Sequence, residues 1–261
     1  MNKTVLVRNL VLGGKRPAIC VPVVAEDPAA LDASLSLLKT APFDLAEFRA
    51  DHLAGLYADG SLAEDYAALL ERALQKLRTT LGDRPLLFTV RTVPEGGKAD
   101  LSYPDYERLL LQAAASGLVD LIDLELFTAD EQAAWLTEKL HRLGIKVVGS
   151  SHEFTHTPPR EEMLGRLLRM QDAGMDITKL AVMPVCRQDV IRLLSVACEM
   201  ADEKADRPFV AISMGPMGNI SRISVSLTGS AFTFASAGRS SAPGQIPADE
   251  MRQILSALTS P

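Results

Sequence analysis

A chain of 261 residues, 47% hydrophobic and 23% charged, can bury a large core and has the size of one β/α barrel. Its formal charge of −6 excludes a general affinity for nucleic acid or anionic membrane, so an anionic ligand must be held by a local cluster of Arg or Lys. Cys20, Cys186 and Cys198 are far apart and form no CxxC, which argues against a disulfide framework or a zinc site and fits a reducing cytoplasm. The apolar stretch of the opening MNKTVLVRNL is too short for a signal peptide and is broken by Arg8. No apolar run approaches the roughly 20 residues that a membrane helix needs.

Thr4 to Leu12, followed by Gly13-Gly14, reads as a short hairpin. Apolar, β-prone runs then recur at Ala18–Val24, Phe43–Ala50, Leu86–Arg91, Leu121–Leu126, Lys146–Ser150, Thr178–Met183, Phe209–Met214 and, most weakly, Ala231–Ala235. Amphipathic segments lie between them. Asp27-Pro28 can cap a helix that buries Leu31, Leu35 and Leu38, and Ser61/Glu64 and Thr128/Glu131 have capping-box spacing. The helix bearing Leu109, Leu110 and Ala113 stops at Gly117, and the one bearing Leu164, Leu167 and Leu168 stops at Gly174. Pro247 starts a last helix through Met251, Ile254 and Leu258. Eight alternating units predict the α/β class and a single (β/α)8 TIM barrel with a short N-terminal hairpin, one domain over residues 1–261. No GxGxxG follows the first strand, which weakens a dinucleotide-binding open sheet.

Parallel strands covered on both faces should be almost purely apolar, and several of these are not. Glu47, Arg49 and Asp51 share one face of the second strand, Arg91 closes the third, and Asp123 and Glu125 share a face of the fourth. His152 ends the fifth strand, and Lys179 opens or lies within the sixth. Burying so many charges is costly unless they are paired, so they point to a functional mouth at the C-terminal ends of the strands. Blander readings compete. Glu47 and Arg49 could be a structural ion pair, and a histidine after a strand is more often scaffold than catalyst, the reading kept for His52, His141 and His156. Lys146 begins the fifth strand much as Lys179 begins the sixth, and periodicity does not choose between them. The turn at Gly96-Gly97 holds Glu95 near the end of the third strand. SAGRSSAPGQ, residues 236–245, has the composition of an active-site lid offering Ser241 and Gln245, or of a plain surface loop.

In order along the chain, EFRADH, FTVR with EGG, IDLEL, SSHEF, TKLAVMP, ISR and SAPGQ resemble the type I 3-dehydroquinate dehydratases of the shikimate pathway. The likeness runs over essentially the whole chain. It implies a homodimeric barrel that removes water from 3-dehydroquinate to give 3-dehydroshikimate without metal or organic cofactor. By motif position it makes Lys179 the Schiff-base lysine, His152 the general acid/base and Glu95 its partner. Glu47, Arg49 and Arg91 would bind substrate hydroxyls or organise the site, Arg222 would hold the substrate carboxylate, and Ser241 and Gln245 would close from the lid. Two departures stand out: Pro22 where some relatives carry a small polar residue, and Gly238-Arg239 where some carry consecutive lysines.

The chemistry explains these residue types. A proton next to a ketone is hard to remove because the carbanion is unstable, and an iminium made from a lysine amine accepts that charge. The amine must be neutral to attack, and burial with neighbouring cations favours that form. An imidazole suits the proton transfers near neutral pH: assisting carbinolamine formation, taking the α-proton and protonating the departing hydroxyl. The planar fork of an arginine suits a carboxylate. Two rivals remain: an aldolase acting on a sugar phosphate, with Gly215 and Gly218 as a phosphate cradle, and a non-catalytic binding protein on the same barrel.

Overall fold

The hairpin anticipated at the start is present, with Val5–Val7 antiparallel to Leu10–Leu12, in a computed structural model that describes residues 3–238 and 242–259. Eight parallel strands follow: β1 (Ala18–Val23), β2 (Leu45–Arg49), β3 (Leu86–Thr89), β4 (Leu121–Glu125), β5 (Lys146–Glu153), β6 (Ile177–Val182), β7 (Phe209–Ser213) and β8 (Phe232–Ser236). Each pairs with its sequence neighbour from β1 to β7, and β8 returns to pair with β1. The seam between β7 and β8 is closed at its base, where the Ala231 N–H donates to Phe209 O at 2.8 Å and the Ala211 N–H to Ser230 Oγ at 3.1 Å. All eight expected strands exist, and their boundaries differ by at most three residues from the sequence reading. A two-residue strand, Ile246–Pro247, adds itself in parallel to the end of β8.

Strand periodicity sorts the interior into layers. The lowest is apolar: Ala18, Leu45, Leu87, Leu121, Val148, Ile177, Val210 and Phe232 join one buried cluster with Val7 and Leu12 of the hairpin. The hairpin therefore plugs the N-terminal end of the barrel. Two residues further along β2 to β6 the character changes, and Glu47, Thr89, Asp123, Ser150 and Lys179 are all buried. The opposite face of each strand packs under the helices in separate apolar clusters.

The helices follow the apolar stripes, with corrections at their starts. Asp27 caps Pro28–Leu38, accepting from the Ala30 N–H at 2.8 Å, and Leu31, Leu35 and Leu38 are buried as expected; such a cap contributes about 1 kcal/mol. The two expected capping boxes do not form. Ser61 lies instead in a two-residue strand paired with Tyr57–Ala58, and the helix begins at Tyr66 with Asp65 before it. Thr128 sits inside a one-turn helix, Leu126–Ala129, and its hydroxyl donates to Glu125 at 2.6 Å; the long helix starts at Ala133. In both places a nearby tertiary partner takes the side chain or backbone that the local motif would have used. The helices Tyr103–Ala115 and Arg160–Asp172 end just before Gly117 and Gly174, both left-handed, as anticipated. The last helix is Ala248–Thr259; it buries Met251 and Leu255, while Leu258 is exposed. Among the described residues no helix is long and apolar enough to cross a membrane.

Candidate active site

The C-terminal end of the barrel opens into a cavity with about 510 Å³ of empty space, counting the solvent at its mouth. Eight of the nine residues singled out in the sequence line it: Lys179, His152, Glu95, Glu47, Arg49, Arg91, Arg222 and Gln245. The ninth, Ser241, lies outside the described residues, as does Arg239.

Lys179 is the third residue of β6 and points inward because Ile177, two residues before it, belongs to the inner cluster. Its buried ammonium donates to Asp123 Oδ2 at 3.2 Å and lies 5.0 Å from the centre of the Phe234 ring. Lys146 shares the inward parity of His152 but sits three layers lower, at the start of β5. There it pairs with Asp176 at 2.9 Å and stays well exposed. Depth, which periodicity does not report, separates the two lysines.

His152 Nδ1 meets Glu95 Oε2 at 2.8 Å. Glu95 reaches it because the loop after β3 makes one 3-10 turn ending at Gly96, which is left-handed. A Cβ on Gly96 would lie 2.2 Å from the Phe154 ring, and one on Gly97 would lie 2.1 Å from Arg91 O, so both glycines are required for the loop to pack here. Phe154 in turn stacks on the imidazole, with ring centres 6.4 Å apart. Burial, then the charges of Arg91, Lys179 and Arg49, push the imidazole well below its ordinary value, which favours a neutral base at rest. Burial and then Glu125 push Glu95 well up. A carboxylate with raised proton affinity is a strong acceptor for the imidazole N–H once the ring takes up a proton.

Arg91 is the hub of the buried charges. Its guanidinium pairs with Asp123 Oδ1 and with Glu125 Oε1 at 2.8 Å each, lies 3.4 Å from Glu95, and donates to Ser150 Oγ at 2.9 Å. Glu125 also accepts from the Thr92 N–H and from the hydroxyls of Thr92 and Thr128, and so belongs to the frame rather than the cavity. Arg49 grips Asp51 through two hydrogen bonds of 2.7 and 2.8 Å, so the alternative of a structural ion pair with Glu47 gives way to one with Asp51. Glu47 instead accepts from the Thr89 hydroxyl at 3.0 Å. His52 lies against Arg49 and Asp51, His141 bonds Asp176 at 2.7 Å, and His156 faces Glu153 at 3.5 Å; none of the three lines the cavity.

Arg222 differs from the other cations. It is 1% exposed, and among the described residues no carboxylate lies within ion-pair distance. One Nη donates to Pro243 O at 3.0 Å, Nε has no partner, and burial lowers its pKa to about 10, still cationic at neutral pH. A buried and uncompensated guanidinium is costly unless an anion arrives to pair with it.

The sequence reading missed the apolar half of the cavity. Ile212 and Met214 of the β7 side, Phe234 of β8, Phe154 and Ala181 face the charged half built by β2–β6. The signal was present in the parity of β7 and β8, whose inward positions carry no charge. Strand spacing puts Asp123 on the same face as Glu125 and assigns it no role, and it is fully buried. Among the described residues no group of three or more His, Cys, Asp or Glu could hold a metal ion, and all three cysteines are free.

Fold and pocket together define a β/α-barrel enzyme with a buried lysine beside a histidine–carboxylate pair and an unpaired arginine. Residues 19–260 match the family model of type I 3-dehydroquinase. The chain is 42% identical over 258 residues to a 3-dehydroquinate dehydratase of Bacillus licheniformis, covering 99% of this chain and 98% of that one. It is 42% identical over 256 residues to the enzyme of the same name from Escherichia coli O1:K1, covering 98% of each. Its fold superposes on a type I 3-dehydroquinate dehydratase from Clostridium difficile, solved with covalent modified comenic acid, with a TM-score of 0.92, 39% identity and 99% of both chains covered. The chain belongs to the type I 3-dehydroquinase family and is a hydro-lyase of that class.

Proposed function

We propose that the enzyme removes water from 3-dehydroquinate through a Schiff base on Lys179, the third step of chorismate and aromatic amino-acid biosynthesis, with His152 moving the protons. The observation that carries this reading is the convergence in one cavity of a buried lysine, a histidine held by Glu95, and the unpaired Arg222. A keto acid satisfies all three at once. Its ketone condenses with the amine, its α-proton goes to the imidazole, and its carboxylate receives the guanidinium. Neutral His152 takes the α-proton as the iminium accepts the electron pair, and the resulting imidazolium, bonded to Glu95, protonates the hydroxyl that leaves as water. Glu47, Arg49 and Arg91 supply polar groups for the ring hydroxyls or hold the site in shape. The covalent comenic acid complex of the Clostridium difficile relative is in keeping with a nucleophile at this site.

The same reading makes the chain one domain, residues 1–261, with 236–245 as its lid. It assigns Ser241 and Gln245 to substrate closure, and it includes a homodimer, a cytoplasmic location and no cofactor. The carbonyl of Pro243 accepting from both Arg222 and the Gly215 N–H supports a lid that orders the carboxylate site. Those bonds also weigh against an aldolase: the Gly215 N–H is taken by Pro243 and the Gly218 N–H by Gly215, so the glycine loop has few donors left for a phosphate. The test is turnover followed by ultraviolet absorbance of the conjugated product. Dehydration of 3-dehydroquinate with no cleavage of phosphorylated aldols supports the reading. The reverse pattern supports the aldolase, and tight binding of 3-dehydroquinate without turnover supports a binding protein.

A further inference from the structure

The lysine expected to react as a free amine has a carboxylate, rather than cations alone, within hydrogen-bond distance. Asp123 is fully buried on β4, and its two oxygens are used differently. Oδ1 accepts from the Ser150 hydroxyl at 2.6 Å and pairs with Arg91 at 2.8 Å, which fixes the plane of the carboxylate. Oδ2 faces the Lys179 ammonium at 3.2 Å. Such a contact stabilises a cation at Nζ and so opposes the deprotonation that nucleophilic attack requires. It is unfavourable for condensation alone, and it suits the species that condensation produces.

We propose that Asp123 is the fixed counterion of the Lys179 iminium, keeping its nitrogen protonated while the α-carbon loses its proton; this rests on the Schiff-base reading above. The ammonium gives up one proton to neutral His152 and becomes an amine, whose lone pair forms the C–N bond as the ketone π pair moves to oxygen. One N–H proton passes to that oxygen to give the carbinolamine, and the imidazolium returns its proton as the C–O bond breaks, so the oxygen leaves as water and His152 is neutral again. The nitrogen keeps one hydrogen and the positive charge, C=N–H⁺, at the position the ammonium held. That single N–H donates to Oδ2. An iminium deprotonated to a neutral imine is a poor electron sink, so the carboxylate preserves the species that makes the α-proton acidic. Arg91 and Ser150 keep Asp123 itself ionised despite its burial. Among the described residues the other charged or titratable groups around this pair are Glu47 and Arg49 from β2, Arg91 and Glu95 from β3 and its loop, Glu125 from β4, His152 from β5, Cys20 from β1 and Arg222 after β7, with Tyr106 behind Glu125.

The test is Asp123→Asn, which keeps the shape and removes the charge. Its kcat is expected to fall about 10- to 100-fold, the loss of one charge-assisted hydrogen bond in the reacting state. The alkaline pH limb separates this role from a structural one. Without the anion the iminium loses its proton at lower pH, so the alkaline limb of kcat moves down. A folded Asp123→Asn enzyme with an unmoved alkaline limb would overturn the proposal and leave Asp123 as a brace for Arg91. Should that variant not fold, the wild type with ¹⁵N-labelled lysine and bound 3-dehydroquinate decides. An iminium nitrogen that stays bonded to one hydrogen at pH 9 is expected, and a neutral imine at pH 8 contradicts it. A wild type that forms no lysine adduct at all would refute the Schiff-base reading instead, which keeps the two failures distinct.

Discussion

The two ends of this barrel are made from the same eight strands and have opposite chemistry. At the N-terminal end, inward positions such as Leu45, Leu121 and Val148 close over Val7 and Leu12, and the layer needs no polar partner. One and two layers up, the same strands bury Glu47, Asp123, Lys179, Arg91 and Glu125, each held by specific hydrogen bonds. The lower end gains stability from apolar burial. The upper end is built of groups whose burial is expensive and whose mutual pairing only offsets that expense. Stability and activity are therefore expected to separate by height along the strands, and substitutions at the two ends should move different observables.

The largest effects belong to the upper end. Lys179→Ala should reduce turnover to background while the fold persists, as measured by product absorbance beside a thermal melt. His152→Ala should lower kcat by about 10²- to 10⁴-fold, the usual contribution of a positioned acid/base. Arg222→Gln should lower kcat/KM by about 10- to 100-fold, most of it through KM, since a charge-assisted contact to the carboxylate is lost. Because the buried guanidinium has no ion-pair partner among the described residues, the same substitution should leave the melting temperature unchanged or raise it. A large drop in melting temperature for Arg222→Gln would break the comparison.

At the lower end Leu12→Ala should destabilise by about 2–5 kcal/mol, read from urea midpoints, because it opens a cavity where the fully buried Leu12 of the hairpin meets the barrel. The kcat of the folded variant should be unchanged. The smallest effect sharpens the comparison through pH. Arg91, Lys179 and Ser150 hold the Asp123 carboxyl down at about 2, below the ordinary 3.8. A depressed carboxylate stabilises the fold above its unfolded value, and that contribution is lost as pH falls from about 4 through about 2. Its size is roughly 2 kcal/mol, at 1.36 kcal/mol per unit. Urea midpoints of the wild type should therefore fall across that window, and those of Asp123→Asn should fall less.

Much of this architecture was legible because periodicity is a local property. The spacing of Glu47 and Arg49, or of Asp123 and Glu125, is enough to put them on one face, and the apolar runs are enough to count strands. Depth and partner choice are not local. Lys146 and Lys179 look alike in the sequence, and only the stagger of β5 against β6 puts one beside Asp176 at the base and the other beside Asp123 in the cavity. Spacing leaves open whether Arg49 pairs with Glu47, its neighbour on the face, and the 3-10 turn after β2 brings Asp51 to it instead. The Ser61/Glu64 and Thr128/Glu131 motifs failed for the same reason: a hairpin partner and Glu125 reached those residues first. The resemblance pointed to Lys179 as the Schiff-base lysine, whereas its carboxylate partner Asp123 is visible only in the packing of β4 against β5 and β6.

The central claim, that Lys179 forms the covalent intermediate, is tested most directly by intact-protein mass after incubation with 3-dehydroquinate and borohydride. Wild type, Lys179→Ala and Lys146→Ala would be compared, with peptide mapping of any adduct. A stable adduct on the wild type and on Lys146→Ala, mapped to Lys179 and missing from Lys179→Ala, is the predicted result. An adduct that persists in Lys179→Ala, or turnover by the wild type with no adduct trapped, would contradict the account.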